Sequence, residues 1–120
     1  MREERLTVMD FKKMAEEIGL EHDEFLEMLD LYVRTGRHDL AKLREAFETK
    51  HFLGVAEAAH SLTGASSNLG FAEIAEIAKD VELNARDEML GSAAAAISLI
   101  EEGLRAIADR LEQHAKMGGA

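Results

Sequence analysis

The chain has 120 residues, with 24 acidic side chains against 14 basic ones, a formal net charge of −10, 47% apolar residues and no proline, cysteine or tryptophan. Without cysteine there is no disulfide scaffold, thiolate metal site or cysteine nucleophile, and lysines and arginines scattered singly among so many acids form no basic stripe for nucleic acid or anionic lipid. No apolar run approaches the roughly 20 residues of a membrane span, and the opening MREERLTVMD lacks the features of a secretory signal.

The length fits one domain, and the absence of proline favours helices joined by glycine-containing turns. We therefore expect an all-α, cytoplasmic, monomeric protein. Leu6, Val8, Phe11, Met14, Ala15 and Ile18 recur at helical spacing, with Thr7 as a candidate N-cap and Gly19 placed as a C-cap glycine. From Asp23 the apolar positions Leu26, Leu29, Val33, Gly36, Leu40, Leu43 and Phe47 mark one face of a long helix, with a kink expected near Thr35 and Gly36. The next seam is Phe52, Val55, Ala59, Leu62, Ser66 and Leu69, closed by Gly70. Phe71, Ile74, Ala78, Val81 and Ala85 follow, the chain turns around Arg86 and Asp87, and Leu90 to Leu111 form the longest seam.

These segments predict an antiparallel up-and-down four-helix bundle over residues 21–115. Residues 1–20 would supply a short N-terminal capping helix and residues 116–120 a frayed tail. Phe25, Met28 and Tyr32 form a second apolar stripe, either covered by the N-terminal helix through Phe11, Met14 and Ile18 or left free as docking surface.

One segment departs from ordinary bundle surface: Ala56 to Phe71, AEAAHSLTGASSNLGF. On a helical wheel His60 lies roughly 130° from the centre of its helix's apolar seam, which points it to solvent. One turn on is Gly64, then Ser67 and Asn68; one turn back are Ala56 and Glu57. An exposed glycine inside a helix costs about 1 kcal/mol relative to alanine. Accepting that cost beside a histidine leaves the imidazole open to a large partner, as a nucleophilic histidine requires.

His60-Ser61-Leu62-Thr63-Gly64 followed by Ala65-Ser66-Ser67-Asn68-Leu69-Gly70 resembles the signature of histidine-containing phosphotransfer (HPt) domains of two-component phosphorelays, which reads roughly AHxLKG, then small residues, then LG. The resemblance extends over GLEHDEFLEMLDLY and LREAFETKHFLGVAEAAH and covers about residues 20 to 115. It implies a four-helix bundle in which His60 accepts a phosphoryl group from a receiver-domain aspartyl phosphate and passes it to another receiver. Its implied partners are response-regulator receivers, including those of hybrid histidine kinases. The chain would need no cofactor of its own, the receiver contributing Mg²⁺. There is no GxxxxGK loop or Gly-rich nucleotide fingerprint, so ATP-dependent kinase activity is not expected.

Where the family carries lysine three residues after the histidine, this chain has Thr63. Thr63 then either supports the phosphoryl group through its hydroxyl or bonds its own backbone. With no lysine or arginine in the adjoining turns, we expect slower transfer or a partner that supplies the cation. Gly64 is expected to give access, and Ala56, Glu57, Ser67 and Asn68 to form docking surface. A rival reading is a non-catalytic module that binds or sequesters a receiver or kinase without carrying phosphate. His22, His38, His51 and His114 are scattered, and no pair has the spacing of a zinc site.

Overall fold

A computed structural model describes residues 9–116. Thr7 and the MGGA terminus lie outside them. Five helices run in order: α1 (Phe11–Glu17), α2 (His22–Glu48), α3 (Phe52–Asn68), α4 (Ala72–Arg86) and α5 (Ala93–Lys116). α2 packs on α3 and α5, and α4 on the same two, which closes a four-helix bundle. Leu29, Leu43, Val55, Leu62, Ile100, Leu104 and Ile107 fill its centre. These are the seam positions at alternating spacings of three and four, because such residues share one helix face and only a bundle interior can bury that face.

The cap of α1 is Asp10, whose carboxylate accepts from the Lys13 amide at 3.1 Å. α1 lies across one end of the bundle. Phe11 meets Phe25 at 6.1 Å and His114 at 6.0 Å between ring centroids, beneath the Arg110 guanidinium. Phe25 is thus covered by the N-terminal helix. Tyr32 is buried by a different neighbour, stacking on Phe71 at 5.2 Å and 16°, while Met28 stays exposed.

Each of the first four helices ends in the same way. The residue after the C-cap takes a positive φ, and the next amide reaches back to the carbonyl five residues earlier. Gly19 and Gly70 occupy this left-handed position in α1 and α3, where a Cβ would be strained. Lys50 and Glu88 occupy it in α2 and α4, with φ of 55° and 59°. His51 N to Ala46 O at 2.8 Å and Met89 N to Asn84 O at 2.8 Å close those two ends.

α2 runs as one helix, without a break, through Thr35 and Gly36. Gly36 serves a close approach, since a Cβ there would come within 3.1 Å of Leu104 Cδ2. Leu90 precedes α5 rather than opening it. No helix among the described residues is long and apolar enough to cross a membrane.

Candidate functional site

His60 lies near the middle of α3 with its side chain 69% exposed. The antiparallel register brings α4 alongside, and Glu82 Oε2 meets His60 Nδ1 at 3.0 Å. Glu82 itself is only 3% exposed. It occupies a core phase of α4, between Ala78 and Ala85, and is held there by cations on its own helix. Arg86 donates from Nη2 at 2.9 Å and Nε at 3.3 Å to that same Oε2, and Lys79 Nζ stands 3.6 Å from Oε1.

Burial pushes the Glu82 carboxyl upward, but hydrogen bonds from Arg86 and His60, with the charges of His60 and Lys79, outweigh it and hold the group below its ordinary range. Glu82 is therefore an anion that can only accept, so His60 Nδ1 donates. A neutral imidazole so held carries its lone pair on Nε2, the nitrogen left free for chemistry.

The other sequence-predicted positions divide. Glu57, Gly64, Ser67 and Asn68 are exposed with His60 on one face of α3. A Cβ built at Gly64 meets nothing within 4 Å, so this glycine makes no close helix contact and leaves open space beside the imidazole. Thr63 is half-buried, and its hydroxyl donates to the Ala59 carbonyl at 2.8 Å. That favours the backbone-bonding role.

Ala56 is a correction: it is 1% exposed and cannot be docking surface. Its spacing of one turn before His60 is right, but its phase is rotated about 40° toward the side where Ala59 enters the core. Beneath the face, Tyr32 Oη and Ser66 Oγ pair at 2.7 Å inside the core. Burial pushes the Tyr32 hydroxyl up to about 12 against the opposing Ser66 hydrogen bond. On the other flank Ser61 donates to Asp39 Oδ2 at 2.6 Å.

Sequence reasoning missed Glu82, Arg86 and Lys79. The adjoining turns of α3 carry no cation, but α4 places two beside the histidine's carboxylate partner. A signal was present: Glu82 follows Val81 beside the apolar seam, in phase with Ala78 and Ala85, with a lysine three residues before it and an arginine four after.

A family model described as Hpt domain matches residues 27–116. The crystal structure of histidine-containing phosphotransfer protein B (HptB) from Pseudomonas aeruginosa PAO1 is similar to this chain at 27% sequence identity and a TM-score of 0.78, covering 90% of this chain and 94% of that one. No curated protein matches significantly.

Proposed function

The chain belongs to the Hpt domain family, a histidine phosphotransfer carrier of phosphorelays, and from that premise we propose that its phosphoryl acceptor is Nε2 of His60. The observation that carries the reading is the exposed imidazole held through Nδ1 by an ionised, buried Glu82. In the forward step the Nε2 lone pair attacks the phosphorus of a receiver's aspartyl phosphate. The N–P bond forms, the P–O bond to the aspartate breaks, and the carboxylate leaves on the receiver.

The proton stays on Nδ1, so the phosphorylated ring is cationic, and Glu82 balances that charge where water is excluded. Passing the group to a second receiver reverses these bonds. Arg86, bound to the same Oε2 as the imidazole, is the cation we assign to the new phosphoryl oxygens, the part that Thr63 lacks the charge to play. Mg²⁺ on the receiver would supply the remaining charge neutralisation. Gly64 admits the partner, and Glu57, Ser67 and Asn68 meet it.

Incubation with a phosphorylated receiver tests this. An acid-labile phosphoryl group should appear on the chain and be lost in His60→Gln. Receiver binding that survives His60→Gln, with no labelling of the unaltered chain, would select the sequestering role instead.

A further inference from the structure

One groove reverses the charge balance of the chain. Where α2 packs on α5, a cleft of about 350 Å³ is lined by Arg37 and Arg44 of α2 and by Glu101 and Arg105 of α5. Acids outnumber bases 24 to 14 over the whole chain, yet here three guanidiniums face one carboxylate. Leu40 and Leu104, both buried, give the groove an apolar floor.

The single carboxylate does not satisfy its neighbours. Glu101 Oε1 accepts from Arg44 Nη2 at 3.4 Å, and Oε2 stands 4.0 Å from Arg105 Nη2, both longer than the roughly 2.7–2.9 Å of a tight charge-assisted bond. In the same chain Arg86 reaches Glu82 at 2.9 Å. Arg37 is exposed and has no acid three or four residues away on α2. A guanidinium carries five donors and is always charged, so the groove holds a surplus of two positive charges with most of its donors unused by Glu101. Like charges crowded round one acid repel, and an anion between them removes that conflict.

We propose that this groove binds a small-molecule diphosphate, free or as the diphosphate group of an organic ester. The planar guanidinium meets two phosphate oxygens at once, which the point charge of lysine does not. Arg37 and Arg44 lie two turns apart on α2, about 10 Å along its axis, so two adjacent phosphates span the pair better than one. The volume is at the small end of ligand pockets. An acidic protein segment fits less well, because a chain of net charge −10 repels it on both sides of the groove. α2 and α5 form the side of the bundle opposite α3 and α4, which carry His60 and Glu82. A ligand here therefore leaves the imidazole open.

Calorimetric titration of the full chain in magnesium-free buffer, with pyrophosphate, ADP, orthophosphate and hexaglutamate, tests the site. Pyrophosphate and ADP should bind saturably at one site, tenfold or more tighter than orthophosphate. Tighter binding of ADP than of pyrophosphate assigns the ester as occupant, and affinity no better for ADP assigns the diphosphate group alone. Arg37→Ala, Arg44→Ala and Arg105→Ala should each weaken pyrophosphate binding fivefold or more. Arg34→Ala, on α2 but paired with Asp30 and outside the groove, should not. Glu101→Gln removes the competing carboxylate and should tighten binding severalfold, a gain that damage to the fold does not produce. In amide NMR spectra pyrophosphate should shift signals around Leu40 and Leu104 and leave those around His60 in place. No saturable binding at millimolar pyrophosphate and ADP overturns the site, as do affinities unchanged in all three alanine variants or orthophosphate binding as tightly as pyrophosphate. Hexaglutamate binding more tightly than pyrophosphate would give the groove to an acidic protein segment instead. None of these readouts involves phosphoryl transfer, so their failure leaves the carrier function standing.

Discussion

Glu82 Oε2 accepts from His60 Nδ1 at 3.0 Å and from Arg86 Nη2 at 2.9 Å, so one buried oxygen joins the imidazole to a cation. The pairing fixes which ring nitrogen is free. In Glu82→Ala the neutral imidazole should redistribute between its tautomers, visible in ¹⁵N chemical shifts of His60 above its protonation range. Transfer from a receiver should fall about tenfold, a barrier change of about 1.36 kcal/mol. Unaltered ¹⁵N shifts would remove Glu82 from the positioning role.

The same carboxylate makes stability depend on acidity. Its folded value lies below the ordinary one, so its contribution is complete above the unfolded value of about 4.3 and is lost as pH falls through the folded value. Urea unfolding of the unaltered chain and of Glu82→Gln should show a stability gap at pH 7 that closes on acidification below about pH 4. A gap independent of pH would contradict the ion-pair account.

Tyr32 titrates in the opposite direction. Its hydroxyl is raised to about 12 mainly by burial, so the stability it contributes is present below the unfolded value of about 10 and is lost as pH rises toward about 12. The chain has one tyrosine and no tryptophan, so the tyrosinate absorbance band, which lies at longer wavelength than phenylalanine absorption, reports this residue alone. Tyrosinate should not form until well above pH 10. Tyr32→Phe should cost about 1–3 kcal/mol by leaving the Ser66 hydroxyl buried without its partner, and adding Ser66→Ala should recover part of that cost.

Gly64 separates folding from access. Because an added Cβ meets open space, Gly64→Ala should raise stability by up to about 1 kcal/mol through helix propensity. Gly64→Leu should remain at least as stable as the glycine form in thermal unfolding, yet load from a receiver tenfold or more slowly. Equal loading rates in Gly64→Leu would show that the partner does not approach over this residue.

Thr63→Lys exchanges a hydroxyl occupied by the Ala59 carbonyl for a mobile cation one turn from His60. If Arg86 already meets the phosphoryl charge, the gain in transfer should be small in the unaltered background. It should become several-fold in Arg86→Ala. Paired rate measurements in the two backgrounds check this, and equal gains in both would detach Arg86 from the phosphoryl group.

The helices and their buried faces were legible because apolar residues at three-and-four spacing have one way to escape water. His60 and Gly64 were legible as a local conflict, a helix interrupted by glycine on its solvent side. Glu82 was not, since it lies 22 residues from His60 and only the register of α4 against α3 brings them together. Ala56 went astray because turn spacing says how far along a helix a residue lies, while a 40° change of phase decides whether it is covered. The end of α2 was hidden for another reason: Lys50 takes the left-handed position that a glycine would have announced.

With His60 as the one phosphoryl acceptor on one face of the bundle, donor and acceptor must use the same berth in turn. The carrier is therefore a ferry with one landing stage. Excess acceptor, phosphorylated or not, blocks loading, and relay flux should pass through a maximum as acceptor concentration rises instead of climbing to a plateau.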